Sequence, residues 1–224
     1  MTGTGTAAAR RRGRPPAGAS DAQREVVLDA AFALLAERGY QGTTMGAVAE
    51  RAGSSKETLY AWFASKHGLF AALVRRQAEA TNRAVAAALD GGGGPGPAPD
   101  PAETLTRIAT GLLGLLLGER SVAINRAALA EPDGELAAVL LAEGRHRTGP
   151  IVEAYLARLA AEGRIRVDDP AEAFQLLYGL VVRDLQIRVL LGEAPPDRAA
   201  IAAQARTAVD RFLSLTGNPE KRLS

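Results

Sequence analysis

Ser54, Ser55, Lys56, Thr58 and Tyr60 fall within one short stretch of a 224-residue chain. Short hydroxyls and a lysine at the start of a helix can reach base edges and phosphate oxygens, so this stretch carries the chemistry of nucleic-acid contact. Thr43 and Thr44 put two more hydroxyls at the start of a preceding helix, where they are expected to touch a phosphate. Lys66 falls in the first turn of a later helix, where its ammonium opposes the helix dipole and so suggests an external anion to meet it. Other chemistry is thin. There is no cysteine, hence no disulfide and no thiolate metal site, and only two histidines, His67 and His146. Glu143 and His146 have the Glu-x-x-His spacing of a di-iron ligand pair, but such a site needs a second motif that the chain lacks. A solvated helix face is the simpler account. No G-x-S-x-G, Walker A or dinucleotide fingerprint occurs, and the run Gly91–Gly94 has no strand before it. No catalytic residue, cofactor or metal is expected.

The elements that must position these groups follow from local signals. Thr44 can N-cap a short helix, Val48, Ala49 and Ala52 recur at helical spacing, and Gly53 stands where a left-handed residue ends a helix cheaply. Ser54 and Glu57 have capping-box spacing and predict the start of the next helix, with Leu59 and Phe63 turned inward. Upstream, Ser20 and Gln23 repeat that spacing and predict a helix from near Asp21, with Val27, Leu28, Ala31, Leu34 and Leu35 on one side and Gly39 closing it. Short helix, glycine turn and second short helix with a polar outer face make a helix-turn-helix. The same caps and turn occur in helical hairpins that bind nothing, and spacing alone does not separate the two.

The flanks do. From Arg24 to Phe70 the chain resembles the N-terminal domain of the TetR/AcrR family of bacterial repressors: AERGY at 36–40, TTM at 43–45, VAERAG at 48–53, SKETLYAWF at 55–63 and SKHGLF at 65–70. The stretch from about 124 to 192 resembles, more loosely, the AefR-like branch of the family's C-terminal domains, through AEG at 142–144, GPIVEAYLARLAAEGRIRVDDP at 149–170 and GLVVRDLQIRVLLG at 179–192. The resemblance implies that Tyr60 and Lys66 meet DNA phosphates. Trp62 stands where His or Tyr is common. Its indole N–H can donate to phosphate or its ring can pack against the fourth helix, and both remain open.

Composition and charge agree with an all-α chain: Ala, Leu, Arg, Glu and Gly dominate and no alternating β-branched run appears. The first 80 residues hold eleven Lys and Arg against seven Asp and Glu, and the remainder is mildly acidic, as suits a molecule presenting one end to a polyanion. Residues 1–20 lack apolar bulk and are expected to be disordered. Their cluster Arg10, Arg11, Arg12 and Arg14 is either a solvated tail or an arm lying along DNA. The expected organisation is a three-helix helix-turn-helix domain at 21–66, a helical-bundle regulatory and dimerisation domain at 67–216 with a Gly/Pro-rich loop at 91–101, and a tail at 217–224. Within the body, helices are expected over about 66–89, 102–117 and 120–130. A long helix should follow to about 162, bent or split at Gly149-Pro150, then one from Asp169-Pro170 to Leu191 and a last one at 197–215. No run gives about 18 uninterrupted apolar residues, and no apolar segment follows the N-terminal arginines, so neither a membrane partner nor a secretory signal is expected; the default location is the cytoplasm, on the nucleoid when DNA-bound.

A single helix-turn-helix reads few base pairs, so two copies are expected, joined through the amphipathic helices at about 170–191 and 197–215. The resemblance further implies a cavity in the body for a small effector of unknown identity, with Phe174, Leu177, Tyr178 and Arg183 as candidate lining residues, and release from a palindromic double-stranded DNA operator when it fills. A constitutive architectural DNA binder, or a helical ligand-binding protein or enzyme with a vestigial head, are the alternatives.

Overall fold

The computed structural model describes residues 17–90 and 100–217. Eleven α-helices and one π-helical turn make up these residues: α1 (Ala17–Gly42), α2 (Met45–Arg51), α3 (Lys56–Phe63), α4 (Lys66–Asp90), α5 (Pro101–Leu116), α6 (Glu119–Ala130), α7 (Glu135–Leu140), the π turn Leu141–Arg145, α8 (His146–Ala161), α9 (Pro170–Val182), α10 (Leu185–Leu190) and α11 (Arg198–Thr216). Among the described residues there is no strand, and one isolated bridge pairs Ile165 with Gly217. The all-α expectation holds. No helix here is long and apolar enough to cross a membrane, and the α5–α6 pair that approaches that length is bent by 57°.

Side-chain capping explains several helix starts. Thr44 accepts from the Ala47 N–H at 3.2 Å, Asp169 from Ala171 at 2.8 Å and Asp197 from Ala200 at 2.8 Å. Pro101 and Pro170 occupy first-turn positions where their missing N–H costs nothing. Four expectations change. First, α1 begins by Ala17, so Ser20 lies inside the helix and 17–20 are not part of a disordered arm. Second, Gly39 breaks the helical path (φ 67, ψ −178), but one further turn runs on to Gly42. Third, α8 passes through Pro150. The irregularity lies one turn upstream, in the π turn at Leu141–Arg145, next to the His146 carbonyl that Pro150 deprives of a donor. Gly149 is where α8 meets α9: a Cβ there would stand 3.2 Å from the Phe174 ring. Fourth, the helix expected to reach Leu191 ends at Val182. Arg183 takes a left-handed φ of 48°, and α10 swings onto α6, where the Arg126 guanidinium donates to the Val189 and Leu190 carbonyls at 3.0 Å.

Two cores organise the chain. The body core joins Val85 of α4 to α5, α8, α9 and α11, including Leu105, Leu113, Leu156, Leu177 and Phe212. The head core joins Val27, Leu34, Val48, Leu59, Phe63, Leu69 and Leu73 of α1–α4, and it also takes in Ile124, Ala127 and Ala128 of α6 and Leu136 of α7. The head is therefore not closed off at residue 66. Its apolar interior is completed by the body's own helices.

Candidate nucleic-acid interface and a coupled cavity

The turn between α2 and α3 holds Gly53 at φ 60, where a side chain would be strained. The cap of α3 is Ser55, not Ser54: Ser55 Oγ accepts from the Thr58 N–H at 3.1 Å and sits 3.0 Å from Thr58 Oγ1. Ser54 is used differently, because Gln23 of α1 donates to Ser54 Oγ at 3.0 Å and to the Ala52 carbonyl at 2.9 Å. One amide thus pins the turn to α1, a role other than the capping-box partner of Ser20 that its spacing suggested.

Thr44, Ser55, Lys56 and Tyr60 are exposed on one end of the molecule, with Ser54 and Thr58 half-buried beside them. Lys56 passes over Gly46, where a Cβ would meet its Cε at 2.7 Å; the absence of a side chain at 46 lets the lysine lie against α2. Thr43 is a correction. It is buried, and its hydroxyl donates to the Gly39 carbonyl at 2.8 Å, so it closes the break in α1 and has no hydroxyl free for a phosphate. Trp62 is half-buried against the head core, edge-on to Phe63 at 6.3 Å. Lys66 already has an internal partner: its ammonium stands 4.1 Å from the Tyr40 ring centre, and burial pushes its pKa down. Burial raises the Tyr40 phenol in turn, helped by the nearby Glu131, Glu135 and Asp133 carboxylates. Arg10, Arg11, Arg12 and Arg14 lie outside the described residues, as does most of the 91–101 loop.

Behind the head, α4–α10 enclose a cavity of about 280 Å³. Leu112, Leu115 and Leu116 are only half-buried in α5 because they face it, which explains the apolar run at the end of that helix. Phe174, Leu177 and Tyr178 line the cavity as expected. Arg183 does not; the backbone turn at 183 leaves it exposed. Sequence reasoning missed the polar members, Gln77, Thr81, Ser121, Asn125, Thr148 and Gln186, which come from four separate elements. No charged side chain stands among the described lining residues. Asn125 donates to the Ser121 carbonyl at 2.8 Å and Thr148 to Asn82 Oδ1 at 2.6 Å, so these two polar groups are held in place. Glu143, the partner of His146 in the di-iron spacing, pairs with Arg75 at 3.2 Å and Arg147 at 2.6 Å; the Arg75 hydrogen bond, chiefly, holds its carboxyl below the usual carboxylate range.

Residues 27–73 match the model of the tetR family of bacterial regulatory proteins, and residues 103–215, half the chain, match that of the C-terminal domain of AefR-like transcriptional repressors. The chain belongs to the TetR family. A TetR transcriptional regulator from Agrobacterium tumefaciens is 33% identical, with a TM-score of 0.68, over 88% of this chain and 95% of that one. The flavonoid-responsive regulator FrrA is 28% identical, with a TM-score of 0.68, over 89% and 99%. The transcriptional repressor KstR of Mycolicibacterium smegmatis is 44% identical over 77 residues, 33% of this chain and 38% of KstR. The stretches shared with the curated relatives span 27–38% of those proteins' length.

In this TetR-family chain three helices, α4, α6 and α7, belong to both the head and the cavity wall. The base of α4 packs in the head core, while its Val74, Gln77, Ala78 and Thr81 line the cavity. Ile124 of α6 does both at once. Ion pairs reinforce the joint: Arg76 of α4 holds Glu25 and Asp29 of α1 at 3.0 Å, and Arg120 of α6 reaches Asp29 at 3.3 Å. Such partly exposed pairs contribute little singly, so they orient the joint more than they stabilise it.

Proposed function

We propose that this protein is a ligand-responsive repressor, without catalytic activity, that binds a palindromic operator as a homodimer in the cytoplasm and is released by a small molecule. The observation that carries the proposal is the pairing of an exposed, well-capped α3 with an uncharged cavity whose walls, α4 and α6, also build the head core. A ligand that binds better to the arrangement in which α4 and α6 have shifted will move the head and change the spacing of the two recognition helices. The cavity is also what disfavours a constitutive architectural role. Its uncharged lining favours a neutral, largely apolar effector, and the flavonoid response of FrrA is compatible with that class.

Thr44, Ser54, Ser55, Lys56, Thr58 and Tyr60 are assigned to the DNA surface, with Trp62, Lys66 and the arginine arm as outer contacts. The test is binding to DNA upstream of the gene and its neighbour, across salt concentrations. The expected result is sequence-selective binding that the double variant Lys56→Ala/Tyr60→Ala weakens by at least about 100-fold, with a salt slope shallower by about 1 for the lost lysine. Weak binding indifferent to sequence and to both substitutions would end the proposal.

The dimer is assigned to α9 and α11. Glu172, Gln175, Leu176 and Gly179 form one exposed face of α9, and Ala203, Arg206, Thr207 and Asp210 one of α11. A Cβ at Gly179 would meet nothing within 4 Å, leaving room for a second helix to cross closely. Gly179→Arg is expected to raise the dimer dissociation constant at least about tenfold, or 1.4 kcal/mol, in sedimentation equilibrium, with helix content unchanged. A dimer that ignores this substitution lies elsewhere.

A further inference from the structure

His67, Glu131 and Glu135 come together where the head meets the body. His67 lies in the first turn of α4, Glu131 ends α6, and Glu135 opens α7. The Nδ1 atom of His67 is buried and makes no hydrogen bond, although Glu135 Oε2 stands 3.4 Å away and Glu131 Oε1 3.9 Å. The Glu131 side chain is only 6% exposed. Its other oxygen, Oε2, accepts from the Leu136 N–H at 3.0 Å, which holds the carboxylate in place. A buried imidazole nitrogen with no hydrogen-bond partner, held at ion-pair distance from two carboxylates, is a costly arrangement. It suits a cation well.

The distances agree with one. A donor atom from each residue lies within 4.8 Å of the other two. Ligands around tetrahedral zinc, at bonds of about 2.0–2.1 Å, stand roughly 3.3 Å apart. The His67–Glu135 separation already meets this, the His67–Glu131 separation of 3.9 Å exceeds it by a few tenths of an ångström, and Glu135, whose side chain is 64% exposed, is free to rotate toward Glu131. Calcium and magnesium prefer all-oxygen shells, whereas one imidazole with two carboxylates favours a late first-row divalent ion. We infer that His67 Nδ1, Glu131 Oε1 and Glu135 Oε2 form a binding site for a divalent transition-metal ion, Zn²⁺ first among them, at the head–body junction. Three protein ligands leave a fourth position for water. A bound ion ties the base of α4 to the α6–α7 connection.

The test uses full-length, tag-free protein stripped with chelator and titrated with Zn²⁺ alone, without DNA, so that it is independent of the proposed function. Calorimetry is expected to show one saturable site per chain, weakened at least tenfold by Glu135→Gln and lost in His67→Gln, with His146→Gln as wild type. Glu135 is exposed, so its variant tests the site without disturbing the core. With only two histidines in the chain, side-chain nitrogen NMR assigns the ligand directly: Zn²⁺ should shift the His67 Nδ1 resonance and leave His146 in place. No saturable binding, binding indifferent to Glu135→Gln, or a shift confined to His146 would each overturn the inference.

Discussion

Gly68→Ala is expected to destabilise the protein by about 3 kcal/mol, near the upper end for overpacking, and to abolish operator binding at temperatures where the wild type binds. A Cβ on Gly68 would lie 1.9 Å from the Phe63 carbonyl oxygen. That oxygen belongs to the backbone at the α3–α4 corner, where Ala64 has φ 61 and the Ser65 N–H donates to the same carbonyl at 2.7 Å. No side-chain rotation relieves such a clash; α3 must move relative to α4, and α3 carries the DNA-facing groups. Gly111→Ala is the control. Gly111 lies in α5 with nothing within 4 Å of its added Cβ, so helix propensity alone applies and the substitution should stabilise by up to about 1 kcal/mol. Urea denaturation of the two variants gives opposite signs if the corner is as tight as described. Equal and small effects would mean that the corner yields.

Filling the cavity is expected to uncouple the two ends of the molecule. Ala109 faces the cavity from α5 and belongs to the body core, not to the head core beneath the residues assigned to DNA. Ala109→Phe should lower the affinity for a neutral apolar probe such as N-phenylnaphthylamine by at least tenfold, worth about 1.4 kcal/mol, while operator affinity stays within about twofold. Fluorescence titration and DNA binding on the same preparation read both quantities. Ala109→Leu adds less volume and should give an intermediate loss. If probe affinity is unchanged in both variants, the ligand enters elsewhere; if operator affinity falls in parallel, the inserted side chain shifts α4 and α6 as a ligand would and the two ends stay coupled.

The corrections share a physical origin. Ser54 and Ser55 are equally good caps by type, and only the arrival of Gln23 from α1 decides that Ser54 is occupied and Ser55 caps. Thr43 has the right chemistry for phosphate, but packing gave its hydroxyl the Gly39 carbonyl as a partner. The break at Arg183 has no local breaker; α10 turns onto α6, where Arg126, far away in the chain, donates to the Val189 and Leu190 carbonyls.

The sequence by itself determined the all-α class, the helix-turn-helix, most helix starts and the family, because caps, proline starts, glycine turns and apolar periodicity act over at most four or five residues. Tertiary structure alone decided which hydroxyls remain free for DNA, where the cavity lies and how it joins the head. It also decided that His67 meets Glu131 and Glu135. Those outcomes depend on which side chains from separate helices arrive at one point, and burial and competition for hydrogen-bond partners set that only once the helices have packed.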